Sequence, residues 1–503
     1  MAGKKTSTVK SLNSKIQSVA FVSLGCPKNL VDSEKMLGLL AEDGIAITPD
    51  HDQADAIVIN TCGFLEASKT ESLEVIREAV EEKQRAGKTG RKKRVIVAGC
   101  LVQRHRAKLL DQIPEIDALV GVFDRENIVT AVRGDGGAGA GADLGTFHPI
   151  SAFISKHDRS QVGYTENDQA RLRLTPRHYA YLRVSEGCNQ GCTFCTIPSI
   201  RGRMRSKPLS VILAEAKELI ADGAFEINLI GQDTTSYGQD IGYAGPGQGL
   251  AGLIRSLNGV ADIGWIRLMY AYPSCFTDEM VGAIADAKNM VKYIDMPLQH
   301  INDQILHAMR RKVTRKQIET LLGKLRDRIP GITLRTTLIS GFPGETEAQH
   351  RELLEFVRDF AFDCLGVFEF SPEPGTPAQR LHTTDAVPTA VMARRKDEIM
   401  AAQQQVAFAK NRHMVGRTLN VLVDQVGRRG SMAMARHAGQ APEIDSRVLL
   451  RGGAAVPGEL MSVVVEDWQD YDLIARPTQR AVRENGTRPG RGQVSLPVLA
   501  GHR

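Results

Sequence analysis

Residues 185–198 read SEGCNQGCTFCTIP, and three of the chain's eight cysteines, Cys188, Cys192 and Cys195, stand there at CxxxCxxC spacing. Thiolate is the ligand that soft iron and zinc prefer, and a cubic iron–sulfur cluster ordinarily takes four of them. A structural zinc site would call for a second close pair of cysteines or histidines. None follows, and the next cysteine, Cys275, is far along the chain. Three thiolates without a fourth predict a cluster with one iron left open to bind and polarise a small molecule.

Cys26, Cys62 and Cys100 are scattered in sequence but alike in context. Each closes an apolar run, in VAFVSLGC, AIVINTC and VIVAGC. As parallel strands these runs would share one C-terminal edge, the edge where such sheets carry their ligand crevices. One cysteine at a buried strand end is ordinary packing; three at equivalent ends predict a second open thiolate site. Gly25, Gly63 and Gly99 beside them fit close backbone approach to something bulky. Two open clusters imply group transfer rather than electron transport.

The elements that must position these thiols follow from the hydrophobic pattern. Over 16–130 short apolar runs alternate with helical stretches such as 66–83, which predicts an α/β domain with a parallel sheet. Residues 131–173 read as a linker around the glycine- and alanine-rich GDGGAGAGADLG at 134–145. Over 174–412 the runs YAYLRVS, EINLIG, WIRLMY, YIDMPL, LRTTLIS and CLGVFEF alternate with helical stretches at 208–222, 276–288, 314–328 and 346–360. Six such units predict a (β/α) barrel or an open part of one, with the CxxxCxxC loop at the C-terminal end of its first strand. A helix over 387–412 follows. Residues 413–478 have short strands and no helical period, which predicts a small antiparallel β-barrel. The basic tail 479–503 reads as disordered and the basic stretch 84–94 as a solvated loop.

At 503 residues, 42% hydrophobic and 24% charged, the chain is ordinary globular material, and a net charge of +6 is mild for that length. Charge alone selects no partner. The basic N-terminus leads into no apolar core of an export signal, and no apolar run is long enough to span a bilayer, so the expectation is a cytoplasmic protein without membrane association.

CxxxCxxC with Phe194 before the last cysteine resembles the motif of the radical S-adenosylmethionine (SAM) enzymes. Together with SLGCPKNLVDSE, NTCGFLEASKTES, AGCLVQR, LIGQDTTSYG, MPLQH, GFPGET, SPEPGTPA and QAPEIDSR, in order over about 18–476, the chain resembles the methylthiotransferases. It is most similar to the branch that modifies an aspartate of a ribosomal protein, and less so to the branch that modifies a tRNA adenosine. The resemblance implies two 4Fe–4S clusters, one on Cys26, Cys62 and Cys100 and one on Cys188, Cys192 and Cys195. It implies two SAM molecules, one giving a methyl group to sulfur and one cleaved to a radical that takes hydrogen from an unactivated carbon. It further implies SAM contacts from Phe194, from Gln232 and Asp233 after the second barrel strand, from Gln299 after the fourth, and from Gly341, Gly344 and Glu345 after the fifth. The implied partners are the twelfth small-subunit ribosomal protein and a one-electron donor such as flavodoxin or ferredoxin, with tRNA the second choice. A non-catalytic iron–sulfur or zinc protein that binds RNA or the ribosome is the rival of another class.

The last domain resembles the TRAM domain, which usually binds RNA. Over 415–476 it has eight acids, seven arginines and no lysine, with EDWQDYDL crowding carboxylates around Trp468 and Tyr471. That stretch is either a solvated acidic turn or a surface that attracts a basic protein and repels phosphate. Glu373 points to the protein-directed branch, because the tRNA-directed relatives tend to be basic there. Cys275 and Cys364 are expected in the core. His300 reads equally as a ligand or a hydrogen-bonded structural histidine, and Arg201, Arg203 and Arg205 as an anion clamp or a cap on the loop after the cluster.

Overall fold

The computed structural model describes residues 16–134, 151–155, 167–243, 245–427, 432–452 and 455–480. The glycine- and alanine-rich stretch beyond Gly134 and the tail from 481 lie outside the described residues.

The first domain is built on β1 (Ser18–Ser23), β2 (Ala46–Ile47), β3 (Ala56–Thr61), β4 (Arg94–Gly99), β5 (Ala118–Val120) and β6 (Ser151–Phe153), in the order β2-β1-β3-β4-β5-β6. All pairings are parallel. β3 is buried along its whole length and β4 over all but its first residue, which is why they read as unbroken apolar runs. Two expectations are corrected here. The stretch 131–173 is more than a linker, since β6 pairs with β5 and completes the sheet edge. The basic stretch 84–94 is not all loop: the helix Glu66–Lys88 runs through its first part, because Gln84, Arg85 and Lys88 are good helix formers and its basic last turn suits the helix dipole.

The second domain holds β7 (Tyr179–Arg183), a small pair β8 (Ser185–Glu186) and β9 (Arg205–Ser206), then β10 (Glu226–Ile230), β11 (Trp265–Leu268), β12 (Met290–Asp295), β13 (Thr333–Ser340) and β14 (Cys364–Glu369). The six long strands lie in sequence order, all parallel, as an open sheet. Of the two forms expected, the partial barrel is the one formed. Its helices pack one face through Leu182, Ile227, Leu229, Ile266, Leu268, Ile294 and Leu334. Helices Arg315–Arg328 and Glu347–Phe360 start at Thr314 and Thr346, each with a reciprocal capping box.

The third domain is a closed barrel of β15 (Thr418–Gln425), β16 (Ala433–His437), β17 (Val448–Leu450), β18 (Leu460–Gln469) and β19 (Asp472–Arg480), ordered β15-β16-β17-β19-β18. The antiparallel expectation fails at one pairing, β17 with β19, which is parallel. The barrel docks on the open sheet through a buried polar seam. Tyr179 donates to Glu443 (2.9 Å), Tyr293 to Asp445 (2.8 Å), and Glu226 lies between Arg267 (2.7 Å) and Arg436 (2.8 Å). His178 pairs with Asp424 at 2.8 Å. Three of the acids that made this domain look repellent to phosphate are therefore committed to the seam. Glu466 is matched by Arg476 at 2.8 Å.

Candidate functional site

β1, β3 and β4 are in-register neighbours: Ser23 lies opposite Asn60, and Thr61 opposite Gly99. Each chain segment turns sharply just past its strand and places Cys26, Cys62 and Cys100 side by side. Gly25 has φ +91°, and a Cβ there would sit 2.8 Å from the Cβ of Cys62; Gly99 has φ +95°, and a Cβ there would meet the Asn60 side chain at 2.2 Å. A Cβ on Gly63 would lie 2.8 Å from the Leu101 Cα. These glycines are needed because the three cysteine-bearing turns crowd one another.

The helix Pro27–Glu42 starts directly after Cys26, so its positive end faces the triad. Asn29 knits the site, donating to the carbonyls of Leu24 (2.7 Å) and Thr61 (3.1 Å). Cys62 and Cys100 are buried while Cys26 is partly exposed. Burial pushes the Cys100 thiol up to about 12, with Cys62 and Cys26 adding to the rise, and burial raises Cys62 as well.

The second triad forms on the loop after β7. Backbone amides at Gln190 and Ile197 donate to Cys188 (3.5 Å) and Cys195 (3.4 Å). Arg311 lies over the Tyr272 ring, 4.0 Å from its centroid, and reaches Cys192 Sγ at 3.7 Å. Burial raises the Cys188 thiol to about 11 and the Cys195 thiol to about 12. The raised thiols Cys62, Cys100, Cys188 and Cys195 thus favour loss of their protons to a Lewis acid over loss to water, and thiolates are the donor set that iron requires. Both triads are looser than a one-ion site: among the described residues no three His, Cys, Asp or Glu are grouped as for a single metal ion. Within that donor set, three-thiol holders for a multi-iron group fit.

Arg201 joins the two. It follows the second triad in sequence, yet its Nη2 donates to Cys100 Sγ (3.1 Å) and to Asn29 Oδ1 (3.2 Å) in the first domain. Its Nη1 pairs with Asp32 (2.8 Å) and Glu186 (3.0 Å). All of these side chains are buried, as are Arg183, Arg125, Asp168 and Lys207, which extend the network. Of the two readings of Arg201, the anion clamp is nearer, but the anions are Asp32 and Glu186, with the Cys100 sulfur accepting beside them. Arg203 is exposed, and Arg205 lies 5.1 Å over the Phe123 ring.

Gln232 donates to Glu186, and its Oε1 is buried with no hydrogen bond; Gln299, at φ +75°, likewise has a buried, unbonded Oε1. Asp233 accepts from Gln190 (2.6 Å), Thr235 (2.7 Å) and Ser236 (2.6 Å), so both its oxygens are engaged within the protein. Phe194 packs on the cluster of Ile339, Phe342 and Phe370. Glu345 accepts from the amides of Gly341 (2.7 Å) and Phe342 (3.2 Å) and pairs with Arg395 (3.1 Å), closing the GFPGE turn. Gly344 donates to the Asp385 carbonyl at 2.8 Å. His300 is fully buried, and burial lowers it to about 3. Its Nδ1 accepts from the Asn302 amide (3.0 Å), which is the structural reading, while Nε2 has no bond.

Glu373 is a domain strap: it pairs with Arg104 of the first domain (2.9 Å) and accepts from the Glu66 amide (3.2 Å). Cys275 is not a core residue. Gln190 and Ser236 donate to its Sγ at 3.3 and 3.4 Å, beside the second triad. Cys364 is only partly buried and adjoins Asp445 at the barrel seam, where burial pushes its thiol up. An open cleft of about 430 Å³ beside Glu345, Arg394 and Arg395 is lined by none of the six triad cysteines. Asn29, Asp32, Glu186 and Arg311 are not singled out by the sequence, although Asn29 and Asp32 stand inside the SLGCPKNLVDSE motif.

Three family models match: the Uncharacterized protein family UPF0004 over residues 18–121, the Radical SAM superfamily over 182–357 and the TRAM domain over 415–477. The chain is 43% identical over 466 residues to a ribosomal protein uS12 methylthiotransferase RimO of Anaeromyxobacter sp. (strain K), covering 91% of this chain and 92% of the relative. It is 41% identical over 460 residues to the protein of the same description in Trichlorobacter lovleyi, covering 91% and 98%. Among solved structures, the radical SAM methyltransferase TsrM from Kitasatospora setae, with cobalamin and a [4Fe-4S] cluster bound, shares the fold. Its TM-score is 0.53 at 15% identity, covering 74% of this chain and 80% of that one. Among the described residues no helix is long and apolar enough to cross a membrane. With two triads in place and relatives above 40% identity across nearly their full length, the chain belongs to the RimO-type methylthiotransferase family of radical SAM enzymes.

Proposed function

We propose that the protein adds a methylthio group to the β-carbon of an aspartate in ribosomal protein uS12, with one 4Fe–4S cluster on Cys26, Cys62 and Cys100 and a second on Cys188, Cys192 and Cys195. The observation that carries this reading is the Arg201 junction, a side chain from the loop of one triad bonded to a thiol of the other. Relatives that share the chain's length are uS12 methylthiotransferases. The tRNA-adenosine and non-catalytic readings are not favoured.

Clusters and two SAM molecules, when bound, supply the methylthio group and a hydrogen-abstracting radical, for which no side-chain base substitutes at an unactivated carbon. The chain's own residues bind, orient and enclose. Gln232 and Gln299 offer their unbonded oxygens to the amino or ribose donors of SAM. Phe194 gives an apolar wall. Asp233 shapes the loop that carries Gln232, and Glu345 with Gly341 and Gly344 shapes the turn after the fifth strand. A one-electron donor such as flavodoxin or ferredoxin and a cytoplasmic setting complete the reading.

The test is to incubate anaerobically reconstituted enzyme with SAM, dithionite and either uS12 or tRNA. The expected product is uS12 heavier by about 46 Da, the exchange of H for SCH3. Modified tRNA with unmodified uS12 would contradict it.

A further inference from the structure

Lys28 is placed against three ordinary preferences. It is 7% exposed, although lysines are rarely buried unless paired. It sits in the first turn of the helix Pro27–Glu42, where the dipole disfavours a cation. Among the described residues no carboxylate is paired with it, whereas neighbouring Arg201 is matched by Asp32 and Glu186. It lies against Tyr270, whose ring centroid is 3.1 Å from Nζ, with Cys26 and Arg201 also near.

Tyr270 is itself held in an unusual pose. It has φ +60°, just past the C-terminal end of β11, with its amide donating to Asp295 (3.3 Å) and its carbonyl accepting from Thr234 (3.1 Å). A non-glycine residue fixed in that region at a barrel's functional edge is strain maintained by its surroundings. Here it brings a barrel tyrosine against a lysine of the first domain, two residues from Cys26, the partly exposed thiol of its triad.

We infer that the Lys28 ammonium, seated on Tyr270, receives the side-chain carboxylate of the substrate aspartate and so holds the adjacent β-carbon at the first triad. This rests on the proposed function and deepens it. An aspartate carried into a water-poor site needs a cation there, because a buried carboxylate without a partner is strongly disfavoured. An adenine base brings no such charge, so an uncompensated lysine fits the protein substrate. The bland alternative is that Lys28 only balances cluster thiolates.

The two separate by experiment on the reconstituted holoenzyme, comparing Lys28→Met with wild type on uS12 and on uS12 whose target aspartate is changed to asparagine. Wild type should prefer the aspartate protein, with its KM lower by about 30-fold or more, the usual scale for one partner of a buried charge pair. Lys28→Met should raise KM for the aspartate protein by a similar factor and bring the preference close to one, with iron content kept. Its unfolding temperature without substrate should equal or exceed that of wild type, since an unpaired buried charge is removed. A preference that survives Lys28→Met, or lost iron with the preference intact, overturns the inference. Should wild type modify neither uS12 protein, the proposed function fails first.

Discussion

Arg201 Nη2 lies 3.1 Å from Cys100 Sγ, although the two residues belong to different domains. The same guanidinium neutralises Asp32 and Glu186. Removing it as Arg201→Met leaves two buried carboxylates short of a partner, and the expected loss is about 3–5 kcal/mol of stability. Arg201→Lys keeps the charge but not the fork, and should fold. Its reconstituted form is expected to show a shifted reduction potential for the cluster on Cys26, Cys62 and Cys100, with that of the other cluster unchanged, by potentiometric titration.

Acid should loosen this junction. Burial would raise the Asp32 carboxyl, but Arg201, Arg125 and Arg183 outweigh it and hold it at about 2, below its ordinary 3.8. A lowered acid contributes stability that is present above its unfolded value and lost as pH falls through the folded one. The stability of the wild type should therefore fall between about pH 4 and pH 2, and Asp32→Asn should show a shallower fall. Parallel slopes in acid-denaturation curves would contradict this.

Alkali tests the empty triads. Burial raises Cys100, Cys188 and Cys195 to about 11–12 from 9.0, so in the iron-free protein their contribution is intact below about pH 9 and is lost as pH rises toward 12. With iron bound the thiolates are already formed, and that alkaline loss should shrink. The measurement is the unfolding temperature against pH for iron-free and reconstituted protein.

Glu373 pairs with Arg104 across domains, and its side chain is only 2% exposed. Glu373→Ala leaves Arg104 without its carboxylate but with the Gly63 and Phe64 carbonyls, so the expected cost is about 3 kcal/mol, the lower end for breaking a buried pair. Hydrogen exchange should rise first at the start of the helix Glu66–Lys88, whose Glu66 amide Glu373 accepts.

Much of this was legible because it is written in local patterns. Burial on both faces gives β3 and β4 their continuous apolar runs, and their ends place Cys62 and Cys100 without further information. The register of β1 against β3 adds Cys26. What was illegible depends on pairing between distant residues. Nothing near Asp445 or Glu443 in sequence says that Tyr293 and Tyr179 wait for them, so acids that belong to a buried seam looked like free surface. Nothing near Glu373 in sequence points to its partner Arg104 in the first domain. Cys275 reads as a core residue in sequence because its neighbours Gln190 and Ser236 come from two other loops.

Each triad should hold its own cluster, and both clusters should be needed for transfer. Anaerobically reconstituted wild type is compared with Cys26→Ala/Cys62→Ala/Cys100→Ala by counting iron and following SAM cleavage and uS12 mass together. About eight irons are expected per wild-type chain and about four in the triple variant, which should still cleave SAM under reductant yet leave uS12 unchanged. A wild type with only about four irons, or a triple variant that still adds the methylthio group, would contradict this.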